Sequence, residues 1–228
     1  MHIRRLLAAL TTAAVAGPAL AVVASAAPAA AATATHIVGS DGGAWISGPS
    51  YRTQPGVPVF GDSLSLSINV VTDGGDQVYD GTLTVERQLA GQSTWTTVAS
   101  STSAYLYDST DAKGNAAYRV TYSGSGDYAG STATVVAKIQ RKLDITPTSG
   151  RTAGMNVKVS PKYKGAITVL KKQGKTWKKY KTVRTNSKSR VWFSLPAPRK
   201  GKWFWRLTIR SAKTFATTKS GVYYTRKY

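Results

Sequence analysis

The chain has 228 residues, of which 42% are apolar and 10% aromatic, a composition typical of folded protein and too apolar for disorder. It lacks cysteine, which excludes disulfide bonds, thiol catalysis and cysteine-ligated metal, and its only histidines, His2 and His36, lie near the amino terminus. The formal net charge of +21 exceeds what solubility requires and points to anionic partners.

The first segment, residues 1–34, has the features of a secretory signal peptide. Two arginines at positions 4 and 5 precede an apolar, alanine-rich run from residue 6 to residue 23, and small residues follow it. The run approaches the length that spans a bilayer, so a retained membrane anchor is the alternative. The small residues favour cleavage, after Ala26 or Ala34. We therefore expect a secreted, extracellular protein that charge can retain at the bacterial cell surface.

The next segment, residues 35–140, is mildly acidic and alternates apolar with polar residues between turn signals. From Leu64 to Val70 every second residue is apolar, which predicts a strand with one buried face. Similar patterns surround Tyr118 and Val135, and an Asp-Gly turn precedes Leu83. About seven or eight short antiparallel strands in about a hundred residues predict a β-sandwich.

The last segment, residues 141–228, repeats the segment before it. Residues 113–121 match residues 200–208 at an offset of 87, and residues 81–85 match residues 165–169 at an offset of 84. Matches that keep their order and their strand faces indicate a tandem repeat. The sequence thus predicts an all-β protein of two antiparallel sandwiches, with the boundary near residue 140.

The repeated residues form a framework pattern. It consists of Gly-x-Leu/Ile-Thr-Val at 81–85 and 165–169, then Trp95 or Trp177, then an aromatic residue followed by Arg-Val/Leu-Thr at 118–121 and 205–208. In this pattern the chain resembles the immunoglobulin-like repeats of secreted and surface-attached bacterial proteins. The resemblance implies two tandem immunoglobulin-like sandwiches and implies no particular activity.

The two copies differ sharply in charge. Residues 141–228 contain 24 Lys and Arg against Asp144 alone. Self-repulsion of so many cations opposes folding, which argues for an anionic ligand that offsets it. We expect an anionic cell-wall polymer or acidic polysaccharide, or extracellular nucleic acid bound without sequence preference. The candidate binding cations are Lys171, Lys172, Lys175, Lys178, Lys179, Lys181, Arg190, Arg199, Lys200, Lys202, Arg206 and Arg210.

The aromatic residues suggest a second function. Alternation places Trp192 and Phe204 on the solvent side of their strands, among cations, where they could stack on a sugar ring. The alternative function is therefore carbohydrate recognition through these two rings. The equivalent pairs Trp95 and Trp177, and Tyr118 and Trp205, are expected in the two cores.

No arrangement of residues predicts catalysis. A glycosidase needs two carboxylates across a cleft, whereas the basic copy has Asp144 alone, and a Ser-His-Asp triad cannot be built without a histidine in the interior of either copy. Asp73, Asp76 and Asp80 could ligate calcium, but Asp and Gly are ordinary at sandwich turns. We expect no cofactor, no metal and no enzymatic activity.

Overall fold

A computed structural model describes residues 31–52, 54–149 and 153–227, and these residues form an all-β structure. No helix in the described ranges is long and apolar enough to cross a membrane. The predicted signal peptide lies outside the described residues, except for its last four positions. There Thr33 already belongs to the fold, because its amide donates to the Asp127 carbonyl at 2.6 Å.

Sixteen strands follow one another along the described chain, and the strands expected around Leu64–Val70, Tyr118 and Val135 are confirmed as β3, β7 and β8. The strands are β1 (Thr35–Gly39), β2 (Ile46–Ser47), β3 (Ser63–Thr72), β4 (Leu83–Leu89), β5 (Thr96–Ser101), β6 (Tyr105–Asp111), β7 (Ala116–Tyr122), β8 (Ser131–Ala137), β9 (Lys142–Thr148), β10 (Gly154–Ser160), β11 (Ala166–Gln173), β12 (Thr176–Arg184), β13 (Arg190–Ser194), β14 (Trp203–Ile209), β15 (Thr218–Lys219) and β16 (Tyr223–Thr225).

The strands form four antiparallel sheets, consistent with β-sandwich domains. Sheet A contains β1, β2, β3 and β6, and sheet B has the order β5-β4-β7-β8. Sheet C has the order β13-β10-β9, and sheet D has β12-β11-β14, with β15 and β16 both pairing with β14. Alternating apolar residues give each sheet one buried face, so sheets A and B enclose one core and sheets C and D another.

The pairing registers of sheets B and D agree with the offsets that the sequence predicts. Glu86 of β4 lies opposite Arg119 of β7, and Leu170 of β11 lies opposite Arg206 of β14. The register against the edge strand shifts at the same place in both sheets, directly before Glu86 and directly before Leu170. The two sheets are therefore residue-by-residue counterparts.

The buried aromatics agree only partly with the expectation. Tyr118 and Trp205 are fully buried counterparts in the two cores, as predicted. The prediction for Trp95 and Trp177 is wrong, because each is only half-buried beneath an arginine on the outer side of its sheet. The stacked arginine shields one face of each indole from water, so the ring is partly buried although it lies outside the core.

Two buried glutamines connect the sheet pairs. Gln140 donates from Nε2 to the carbonyls of Pro55 and Val57, at 3.0 and 2.7 Å, and accepts from the amide of Lys219 at 3.0 Å. Gln54 accepts from the amide of Leu143 at 2.6 Å. Because the two buried side chains bond to residues of both sheet pairs, they hold the connecting segment between the pairs in one conformation.

Phe215 makes the connection an apolar one as well. It follows β14, yet its buried ring belongs to the core of sheets A and B, with its centroid 6.3 Å from that of Phe60. The Arg141 guanidinium covers the same ring at 4.2 Å. A residue from the last third of the chain therefore completes the core that sheets A and B enclose.

We expect Phe215→Ala to destabilise the whole protein by about 3 kcal/mol, since it opens a cavity in a core that residues from both halves enclose. Denaturant unfolding monitored by tryptophan fluorescence measures the change. Tyr51→Ala is the control, because Tyr51 is an aromatic residue that lies almost entirely in solvent. A Phe215→Ala protein as stable as the control would show that the halves are energetically independent.

Candidate polyanion-binding surface

The solvent side of sheet D carries most of the features that the sequence singled out. Trp205 and Leu207 of β14 point into the core, so Phe204 and Arg206 point outward between them. Strands β11, β12 and β16 place further cations and rings beside these two. We call this surface the cation–aromatic face, and it consists of Lys172, Trp177, Lys179, Lys202, Phe204, Arg206 and Tyr224.

Aromatic rings hold the cations of this face. The Arg206 guanidinium lies 4.5 Å from the ring centroid of Trp177, and the Lys202 ammonium lies 4.4 Å from that of Tyr224. Phe204 and Tyr224 meet edge to face at 6.5 Å. A ring attracts a cation without neutralising it, so these contacts position the positive charge and leave it uncompensated.

Acidic side chains are nearly absent from this half of the structure. Among the described residues after Gln140, the one salt bridge joins Lys142 to Asp144 at 3.8 Å, on sheet C. Arg206 forms no salt bridge within the described ranges, and its buried Nε has no hydrogen-bond acceptor there. Because no described acid neutralises its guanidinium, Arg206 is the strongest candidate to receive an external anion.

Two of the predicted lysines point inward instead. The Lys171 ammonium sits 3.1 Å from the ring centroid of Trp203, at the end of the buried face of sheet D. Lys181 donates to the Ser194 carbonyl on sheet C at 2.6 Å, and burial lowers its pKa. Lys181 therefore joins the two sheets, Lys171 packs within sheet D, and neither lines the cation–aromatic face.

The remaining predicted cations are exposed, and all of them except Arg190, which lies on sheet C, surround the rim of this face. Strands β11 and β12 form a hairpin with Gly174 and Lys175 in its turn, and Gly174 has a φ of 57°, a value that suits glycine. Lys178 extends from the edge strand beside this turn. The other predicted cations at the rim precede or follow β14, and they are Arg199, Lys200 and Arg210.

Trp192 and Phe204 do not lie together. Trp192 belongs to sheet C, where its neighbour Phe193 enters the same core as Trp205 of sheet D. The two exposed rings consequently face opposite sides of the sheet pair. Trp192, 52% exposed, borders a groove of about 600 Å³ that also contains Arg190, Asn156 and Asp144.

The largely apolar cavity of about 550 Å³ at the junction of the sheet pairs is lined by Phe60, Leu89 and Phe215, among others. The side-chain amide of Asn115, one of the lining residues, is already engaged, since it donates to the Lys213 carbonyl and accepts from the Ile139 amide. The bond to Lys213 crosses between the two halves, so the cavity is a feature of their junction.

The acidic turns of the first sheet pair form no recognisable metal centre. Across the described ranges, no group of three or more His, Asp or Glu side chains is placed to hold an ion. Asp73 lies instead 3.4 Å from His36, and the amide of Asp76 donates to the Thr72 hydroxyl within its turn.

Sequence reasoning missed two members of the face. Tyr224 was overlooked because β16 has only three residues, too few for alternation to be visible. Trp177 was assigned to the core. The repeat shows only that Trp177 and Trp95 are equivalent, and in the structure the counterparts Trp95 and Arg119 also stack, at 4.4 Å.

No protein-family model matches the chain, and no curated protein matches it either.

We expect Lys181→Ala to lower the free energy of unfolding by about 1–2 kcal/mol, since it removes a charged hydrogen bond between the sheets. Lys179→Ala, on the outer side of the same strand, should change it by less than about 0.5 kcal/mol. Urea unfolding of both variants compares them. Equal effects would contradict the inward placement of Lys181.

Proposed function

We propose that the protein is a non-enzymatic binding module that attaches to anionic polymers through the cation–aromatic face. The observation that supports this most directly is the state of Arg206, a guanidinium oriented by Trp177 and left without any acidic partner among the described residues. Around it, Lys172, Lys179 and Lys202 add charge on one rigid sheet.

A polymer suits this surface better than a small anion. The cations are spread over several strands and both rims of sheet D, so a ligand with many negative groups can engage them together. Each contact alone is weak and screened by salt, but binding several groups at once releases many counterions. Anionic cell-wall polymers and acidic polysaccharides are the ligand classes we favour. Extracellular nucleic acid would bind by charge alone.

The proposal extends to the rest of the chain. The two sheet pairs are immunoglobulin-like sandwiches, the first a rigid spacer fixed to the second through Gln140 and Phe215. The leader directs export, after which charge retains the protein at the cell envelope or in the extracellular matrix. This is an adhesion or retention role, and it needs no bond-making step.

Carbohydrate recognition through Trp192 and Phe204 remains the second candidate. Because the two rings face opposite sides of the sheet pair, it requires two separate sugar contacts rather than one platform. Phe204, 38% exposed, instead has Tyr224, 51% exposed, as its neighbour. Replacing Trp192 and Phe204 by Ala while keeping every lysine separates the two functions, since charge-driven binding of polyphosphate, which has no ring to stack, should survive.

The face itself is tested by removing three of its lysines and comparing the loss with a matched control. The face variant replaces Lys172, Lys179 and Lys202 by Gln. The control variant removes three exposed lysines from β10 and the loop after it, Lys158, Lys162 and Lys164, so that both lose the same charge. We expect the face variant alone to bind heparin and polyphosphate about tenfold or more weakly at moderate salt, because phosphate-type contacts act through counterion release.

Column retention and titration across ionic strength measure the difference. The salt dependence of the face variant should also be shallower, since fewer counterions are released. Equal losses in both variants would show that net charge rather than this surface binds the polymer. Elution of the unmodified protein at trivial salt would overturn the proposed function.

A further inference from the structure

We infer that Arg206 makes the cation–aromatic face selective for carboxylate groups, and that the preferred ligand is a carboxylated polysaccharide such as a polyuronate. The inference rests on the proposed function and adds the chemical class of the ligand. It comes from comparing sheet D with its counterpart, sheet B, within the same molecule.

In sheet B the corresponding arginine already holds a carboxylate. Arg119 lies 4.4 Å from the ring centroid of Trp95 and donates from Nε and Nη2 to the Glu86 carboxylate, at 3.1 and 2.7 Å. Glu86 reaches it because the two residues are direct cross-strand partners. Glu86 neutralises the Arg119 guanidinium and accepts its hydrogen bonds, so Arg119 needs no external anion.

In sheet D the same arrangement lacks its acid. Arg206 stacks on Trp177 at 4.5 Å, almost the distance seen for Arg119, but its cross-strand partner is Leu170. Its Nε is buried and without an acceptor among the described residues. The guanidinium is thus oriented as if for a carboxylate that the chain does not supply.

The positions beside Arg206 are also more positive in sheet D than in sheet B. The counterparts of Gln88 and Thr97 in sheet D are Lys172 and Lys179, which flank Leu170 and Arg206. Three differences together convert a closed ion pair into an open cationic surface. A ligand carboxylate can reach the terminal Nη groups of Arg206, because only Nε is buried, while the two lysines attract the rest of the polymer.

The fork geometry favours a carboxylate. Two parallel N–H donors of a guanidinium match the two oxygens of a planar carboxylate, and aromatic stacking fixes the plane in which they point. The lysines, by contrast, are flexible point charges that accept any anion. Selectivity should therefore depend on Arg206, and total affinity on the lysines.

The rings beside Arg206 indicate a sugar polymer. Phe204 lies two residues from Arg206 on the same side of β14, about 7 Å along the strand. With Tyr224 it forms an exposed aromatic pair edged by Lys172 and Lys202. A pyranose ring can stack there while its carboxylate, or that of the next sugar, reaches Arg206.

The test restores the missing acid. Leu170→Glu should pair with Arg206 as Glu86 pairs with Arg119, and so occupy the site from within. Leu170→Gln controls for polarity, and Thr168→Glu, on the same side of the same strand, controls for charge. Binding of the full chain to polygalacturonate and to polyphosphate is measured at one fixed ionic strength.

We expect Leu170→Glu to weaken polygalacturonate binding about tenfold or more, the effect of one charge-assisted hydrogen-bond pair, and both controls to weaken it less than about threefold. Polyphosphate binding should change less than about threefold in all variants. Equal losses for Leu170→Glu and Thr168→Glu on both polymers would overturn the selectivity and leave the proposed function standing. Failure of the unmodified protein to bind either polymer at low salt would overturn both.

Arg206→Lys gives a second test that leaves the net charge unchanged. It removes the planar fork, so the preference for polygalacturonate over polyphosphate should disappear while polyphosphate binding persists. A variant that keeps the preference would overturn the inference.

Discussion

Positive charge held by aromatic rings, rather than by acids, is the interaction on which this structure depends. After Gln140 the chain has 24 Lys and Arg and Asp144 alone to balance them. Arg206 rests on Trp177, Lys202 on Tyr224 and Lys171 on Trp203. A ring fixes the direction of a cation but leaves its field intact, so the sheet presents charge in a fixed pattern instead of dispersing it on mobile side chains.

Apolar packing in the two cores and at the junction between the sheet pairs offsets the mutual repulsion of these cations. Sheets C and D enclose a continuous apolar cluster, which Lys181 also joins through its bond to Ser194. Phe215 and Gln140 tie that pair to the less charged first pair. The first pair contributes rigidity, and its Glu86–Arg119 contact shows how the same framework behaves when its charge is balanced.

Much of the fold follows from alternation in the sequence. Ile68, Tyr118, Trp205 and Leu207 are buried where period two places them, and Phe204 is exposed between Trp203 and Trp205 as the same rule requires. The repeat offsets also predicted which residues of the two sheets correspond, because insertions fall in loops and leave the strand pairing unchanged.

The inward lysines show where this reasoning fails. Alternation along β12 puts Lys181 on the same side as Trp177 and Lys179. A bulge at Tyr180, however, reverses the sides, so that Lys181 faces Val169 and the core. Lys171 could have been placed correctly, since it continues the buried series of Ile167 and Val169. Its charge, rather than its position, suggested exposure.

The position of Trp177 could not be predicted from the hydrophobic pattern of the sequence. A tryptophan covered by an arginine and a tryptophan in a core contribute to that pattern in the same way. The separation of Trp192 from Phe204 likewise requires knowing that β13 and β14 belong to different sheets. Local alternation determines which side of a strand a residue occupies. Strand pairing decides which residues share a surface.

Lysine footprinting of the full chain, with and without polygalacturonate, tests the central claim most directly. Acetylation rates measured by mass spectrometry would report which amines the polymer covers. The account predicts protection of Lys172, Lys179 and Lys202, with Lys158 and Lys164 reacting at unchanged rates. Protection spread evenly over all exposed lysines, or centred on sheet C, would contradict it.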